Sequence, residues 1–224
     1  MRINFWIKTW DKSNIGFHQA DIHPALKKYW PELEAGNSVL VPLSGKSLDL
    51  LWLEKRGLDV IGIEFVESAV LDFFRENELE WEKTVQYGHP CYRVRGRNIR
   101  IFATDFIQFA KDYDGQPMDS LYDRAALVAL PEDMRAAYVK ACRKLLVTSP
   151  HVLLVTIEYD SNAMEGPPFS VTREEVRRLW HAELDLVERV DMLSSMPRAI
   201  ASGVQNLDEY FWVFRQPGTA QDLV

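Results

Sequence analysis

Val41-Pro-Leu-Ser-Gly-Lys-Ser-Leu-Asp-Leu-Leu-Trp-Leu53 changes period within a few residues, and that change decides the fold class. The run Ser38 to Leu43 is short, apolar and of strand type; Ser44 to Ser47 interrupts it; Leu48, Leu51 and Trp52 then recur at the spacing of one helix face. Strand, tight turn and helix make the opening of a βα unit. Gly45 allows the backbone to approach a ligand closely at a turn that leads into a helix N-terminus. The Gly-Lys-Ser triplet hints at a phosphate loop, but that motif needs a glycine where Leu40 stands. The three-glycine dinucleotide pattern fails as well, because Gly45 is the only glycine in the stretch.

Outward from this unit the alternation continues. Upstream, Ile22 to Trp30 reads as a short helix with Leu26, Tyr29 and Trp30 on one face, stopped by Gly36 and Asn37. Downstream, Gly57 ends the helix, and Val60-Ile-Gly-Ile63 forms a second strand that terminates on Glu64. Ala69, Val70, Phe73 and Phe74 supply the next helix. Residues 77 to 97, punctuated by Gly88, Pro90 and Gly96, read as a loop or irregular hairpin. Strands follow at Ile99 to Ala103, Ser120 to Tyr122 and Val152 to Ile157, with a helix from Glu132 to Leu146 between the last two. Thr172 with Glu175 reads as a capping box, and Leu186 to Leu193 and Tyr210 to Phe214 are late strands. Strands alternating with helices imply an α/β fold with a mostly parallel sheet covered on both faces.

The chain has 224 residues, 47% hydrophobic and 12% aromatic, enough for a sizeable core within the span of one domain. A net charge of −7 offers no basic face for phosphate backbones, so nucleic acid is not an expected partner. Cys91 and Cys142 are too few for a disulfide framework and lack zinc spacing, which fits a reducing, cytoplasmic setting. The N-terminus lacks an apolar leader core, and no apolar run approaches the roughly 20 residues needed to span a bilayer. No membrane association is expected. The five histidines show no paired metal spacing, so no metal is expected either.

In an open parallel sheet, ligands bind beyond the carboxyl ends of the strands. Four such ends are distinctive here: the Gly45 turn, Glu64, Ala103-Thr-Asp-Phe106 and Tyr122-Asp-Arg124. A carboxylate at Glu64 can accept hydrogen bonds from both ribose hydroxyls of an adenosine group, which suits NAD and S-adenosylmethionine equally. Thr104 and Asp105 can hydrogen-bond beside Phe106 and flank an adenine ring. A nicotinamide-dependent oxidoreductase and a non-catalytic adenosyl-binding regulator are the competing classes. The missing glycines weigh against the first, and Glu64, Asp105 and Arg124 together weigh against the second.

Taken in order, VPLSGKSLDLLWL (41–53), Gly62-Ile-Glu64, YDRAALVALPEDMRAAY (122–138), GPPFSV (166–171) and the N-terminal Trp6, Trp10, Phe17 and His18 resemble the successive signatures of the thiopurine S-methyltransferases, in their bacterial form. The resemblance spans nearly the whole chain. It implies one domain over residues 1–224 with a class I, Rossmann-like methyltransferase fold: a seven-stranded sheet, six strands parallel and one antiparallel, with helices on both faces. Residues 1–30 would form an aromatic segment and helix covering the active site. The cofactor implied is S-adenosyl-L-methionine, released as S-adenosyl-L-homocysteine. Trp6 and Trp10 would cover it, Leu43 would contact it, Glu64 would hold its ribose, and Thr104 and Asp105 would border its adenine. Arg124 would lie near the methionine part and the acceptor as the catalytic residue, oriented by Asp123. Phe17 would face the acceptor and Arg198 would be a second arginine on that side. Ser44 stands where the family usually has cysteine. A small thiol acceptor, a thiopurine or an aromatic or heterocyclic thiol, and a monomeric protein are implied. A role in xenobiotic detoxification or in tellurite resistance is implied by the same likeness.

Overall fold

The computed structural model describes residues 19–181 and 183–214. Trp6, Trp10, Phe17 and His18 lie outside the described residues. In chain order the elements are α1 (Pro24–Tyr29), β1 (Ser38–Pro42), α2 (Asp49–Lys55), β2 (Asp59–Glu64), α3 (Glu67–Glu76), β3 (Trp81–Gln86), β4 (His89–Val94), β5 (Ile99–Ala103), α4 (Phe106–Asp112), β6 (Met118–Asp123), α5 (Glu132–Leu145), β7 (Leu146–Tyr159), α6 (Arg173–Leu179), β8 (Leu184–Asp191), α7 (Pro197–Ala201) and β9 (Leu207–Phe214). None of these helices is long and apolar enough to cross a membrane.

The strands form a single sheet in the order β3-β4-β5-β2-β1-β6-β7-β9-β8. β5, β2, β1, β6 and β7 are parallel, and β9 runs antiparallel between β7 and β8. Those seven strands match the expected plan of six parallel and one antiparallel. The expected count is nevertheless too low, because the sheet has nine strands among the described residues. The extra pair is the segment read as a loop or irregular hairpin: β3 and β4 pair antiparallel and β4 pairs with β5. Tyr87 and Gly88 take φ of 52° and 77° at the tip, the left-handed pair that a two-residue hairpin turn requires.

Strand alternation assigns each side chain to a face. Val39 and Val41 of β1 point into a core with Leu26 of α1, Leu50 and Leu53 of α2, and Val70 and Phe73 of α3. Leu40 between them points to the opposite core, with Phe109 of α4, Tyr138 and Leu145 of α5, and Val176 of α6. Both faces are therefore covered, as a parallel sheet requires. The capping box at α6 is only half formed. Thr172 Oγ1 accepts from the Glu175 N–H at 3.1 Å, but the Glu175 carboxylate turns away to Arg135 Nη1 at 2.6 Å.

The chain runs from β1 outward through β2 to β5 and then returns to place β6 on the other side of β1. This reversal opens a crevice at the carboxyl ends of β1 and β6, the position where open α/β sheets take their ligands.

Candidate cofactor and acceptor site

Four neighbouring strand ends carry the residues singled out from the sequence. In sheet order they are Thr104 and Asp105 after β5, Glu64 at the end of β2, Leu43 after β1 and Arg124 after β6. Neighbouring strands lie about 4.8 Å apart, so the row extends roughly 14 Å across the top of the sheet. Backbone bonds hold the ends level: Ser44 N donates to Ile63 O at 3.1 Å, and Thr104 N donates to Glu64 O at 3.0 Å.

The turn after β1 is built from two left-handed residues, Leu43 at φ 47° and Gly45 at φ 53°. For leucine this conformation is strained, which marks the loop as held by its surroundings. Gly62 lets the loop close on β2, since a Cβ there would meet Ser44 Oγ at 3.0 Å and Ile101 Cγ1 at 3.3 Å. The Glu64 carboxylate is the other clamp. Oε2 accepts from Gly45 N at 2.8 Å and Oε1 from Val66 N at 2.7 Å. Burial pushes the Glu64 carboxyl above the usual range, and the N–H groups of Val66 and Gly45 act in the opposite direction. Each oxygen has a lone pair beyond the bond it accepts, so the residue fits a vicinal diol as a double acceptor.

Asp105 is the N-cap of α4, its Oδ1 accepting from Gln108 N at 2.9 Å. The Thr104 hydroxyl meets His89 Nδ1 at 2.9 Å. The antiparallel β4–β5 register brings His89 opposite Thr104, a contact that the sequence reading did not single out.

Arg124 follows β6 directly and is half-buried. The expectation that Asp123 orients it needs correction. Asp123 is fully buried, its Oδ2 takes the Tyr138 hydroxyl at 2.7 Å, and its Oδ1 takes the N–H groups of Ala126 at 2.9 Å and Leu127 at 3.2 Å. It therefore pins the turn after β6 to α5. Burial raises its pKa to about 6, with the Tyr138, Leu127 and Ala126 bonds opposing that rise.

Arg198, on α7, donates to the carbonyls of Pro167 and Glu165, both at 2.9 Å. It thus secures the Gly166-Pro-Pro-Phe169 loop, which on its other side is fixed by Phe169 N to Val128 O at 2.6 Å. Among the described residues, no group of three or more His, Cys, Asp or Glu side chains is placed to hold a metal ion.

Comparison with known proteins identifies the family and the fold. A family model described as thiopurine S-methyltransferase matches residues 1–217. A thiopurine S-methyltransferase of Pseudomonas putida is 41% identical over 208 residues, covering 92% of this chain and 95% of its own length. One from Pseudomonas fluorescens is 38% identical over 228 residues, covering 99% and 100%. Among solved structures, Burkholderia thailandensis 1,6-didemethyltoxoflavin-N1-methyltransferase, determined with bound 1,6-didemethyltoxoflavin and S-adenosylhomocysteine, superposes with a TM-score of 0.62 at 15% identity over 96% of this chain and 87% of its own. A SAM-dependent methyltransferase from Anabaena variabilis gives a TM-score of 0.62 at 13% identity over 96% and 94%. At such identities the two structures speak to the fold.

Proposed function

Because the chain belongs to the thiopurine S-methyltransferase family, we propose that it methylates the sulfur of a small thiol, a thiopurine or an aromatic or heterocyclic thiol, at the row of strand ends around Glu64. It is an S-adenosylmethionine-dependent methyltransferase. The observation that carries the site assignment is the order of those ends. Thr104 with Asp105, then Glu64, then Leu43, then Arg124 stand in one row along the sheet, which supports assigning them in turn to the adenine, ribose and methionine parts of the cofactor and to the acceptor beside it.

When bound, S-adenosylmethionine supplies a methyl group activated on a sulfonium. The chain's own contribution is alignment and exclusion of water. Glu64 holds the ribose hydroxyls through its remaining lone pairs, Thr104 and Asp105 border the adenine, and the strained Leu43 turn lies against the cofactor. The fixed guanidinium charge of Arg124 favours the anionic form of the acceptor, and a thiolate is the better nucleophile. Arg198 shapes the acceptor side by fixing the loop at Glu165 and Pro167. Residues 1–30, with Trp6, Trp10 and Phe17, cover the site in this reading. Reduced selenium and tellurium species belong to the same acceptor class, which makes detoxification or tellurite resistance in the cytoplasm the cellular role we favour, for a monomeric protein.

The test is methyl transfer from S-adenosylmethionine to a panel of thiopurines and aromatic thiols, with phenol and aniline counterparts as controls. Turnover of thiols alone is expected. Arg124→Ala should lower thiol turnover more than it weakens binding of S-adenosylhomocysteine, and equal losses would remove Arg124 from the acceptor side.

A further inference from the structure

The hairpin that lies outside the seven-strand plan reaches the proposed cofactor site. β4 sets His89 beside Thr104, with Nδ1 2.9 Å from Oγ1, in a position only 7% exposed. On the other side of the ring, Nε2 lies 3.1 Å from Asp112 Oδ2 at the end of α4. That contact is off the line of the N–H, so it is electrostatic rather than a hydrogen bond. The same Asp112 oxygen is held by Gln108 Nε2 at 2.8 Å, and the Phe109 ring packs against the imidazole with centroids 5.7 Å apart.

A carboxylate beside Nε2 favours the proton on that nitrogen. A neutral imidazole in this tautomer has a lone pair at Nδ1, and Thr104 has one proton with which to meet it. Once that proton is given to His89, the hydroxyl presents only lone pairs to anything else that approaches. Thr104 is half-buried, at the carboxyl end of β5, and so remains within reach of a ligand.

We propose that His89 is a positioning residue that makes the Thr104 hydroxyl an acceptor only, and thereby selects a cofactor base carrying a 6-amino group, a donor, over one carrying a 6-oxo group. The inference rests on the reading that Thr104 borders the adenine. At C6 adenine offers N–H donors, whereas hypoxanthine has a carbonyl oxygen there, which an acceptor-only hydroxyl repels; the selection is made at C6 and not at N1, where hypoxanthine carries the N–H. Without the His89 lone pair, the Thr104 hydroxyl is free to turn and donate, and the discrimination weakens.

The experiment is calorimetric titration with S-adenosylhomocysteine and with S-inosylhomocysteine, its 6-oxo counterpart, at about pH 8, where an imidazole is ordinarily neutral. The wild type, His89→Phe, His89→Gln and Glu64→Ala proteins are compared, with folding checked by circular dichroism. The wild type should prefer the 6-amino ligand, and His89→Phe should reduce that preference by about tenfold, the worth of one hydrogen bond. His89→Gln, whose amide oxygen can accept from Thr104, should retain most of it. A purely structural role for His89 lowers both affinities together and leaves their ratio unchanged, and that result in a folded His89→Phe protein overturns the proposal. Should that variant not fold, His89→Leu removes the same lone pair and is read in the same way. Failure of the underlying reading has a different signature: no binding of S-adenosylhomocysteine by the wild type, or equal binding by Glu64→Ala.

Discussion

Asp123→Asn should stabilise the protein at neutral pH and flatten its pH dependence. The side chain is fully buried and its pKa is raised from 3.8 to about 6, chiefly by burial. A shift of about two units corresponds to about 3 kcal/mol between the protonated and ionised forms. The native state binds this proton more tightly than the unfolded chain does. Its stabilising contribution is therefore complete below the unfolded value of 3.8 and is lost as the pH rises to about 6. Asparagine is a permanent stand-in for the neutral acid. Its Oδ1 can accept from the Ala126 and Leu127 N–H groups, and its amide can donate to the Tyr138 oxygen, now used as an acceptor. Urea denaturation at pH values from about 4.5 to 7.5 should show Asp123→Asn gaining about 2–3 kcal/mol over the wild type at the upper end, with the difference shrinking toward the lower end. Binding of S-adenosylhomocysteine should not change, because Asp123 serves the turn and not the ligand. A variant equal to or less stable than the wild type at neutral pH, or a gap that does not vary with pH, would refute the reasoning.

Arg135→Ala should cost about 3 kcal/mol in chemical denaturation, because it leaves the largely buried Glu175 carboxylate with only its 3.8 Å contact to Arg178. It also removes bonds to the carbonyls of Leu130 and Ser170; a loss below about 1 kcal/mol would mean the ion pair is dispensable. Gly62→Ala should cost about 1–3 kcal/mol and weaken cofactor binding, since the new methyl meets Ser44 Oγ at 3.0 Å and pushes on the loop that Glu64 clamps. Denaturation and calorimetry on the same sample check both effects. Thr156→Val should cost about 1–3 kcal/mol in thermal or urea unfolding, by leaving the Trp212 indole N–H without its 3.0 Å acceptor between β7 and β9.

The parts of the fold governed by local pattern were legible from the sequence. β5 falls on Ile99–Ala103 as read, and the turn from β1 into α2 and the acidic end of β2 lie where the change of period put them. The hairpin was harder to place for three physical reasons. Its first strand, Trp81–Gln86, is exposed along most of its length and so carries no buried face to set a period. Its turn uses Tyr87-Gly88 where asparagine or aspartate would be the stronger signal. Its second strand contains Pro90, which argues against a strand with neighbours on both sides.

Side-chain roles were less legible than elements. Asp123 stands next to Arg124 in sequence, but strand alternation sends it into the core toward Tyr138. Glu175 has the spacing of a capping box, yet a buried arginine forty residues away competes for its carboxylate and takes it. His89 lies in the segment with the weakest pattern, so no spacing pointed to its contact with Thr104. Arg198 is brought to the Gly166–Phe169 loop only by the packing of α7, and no local pattern encodes that.

Calorimetric titration with S-adenosylhomocysteine, with NAD in parallel and Glu64→Ala as the control, tests the central claim most directly. Tight binding of S-adenosylhomocysteine that is lost in Glu64→Ala, with no heat from NAD, is the result this structure predicts. Preference for NAD, or binding that survives loss of the Glu64 carboxylate, would contradict it.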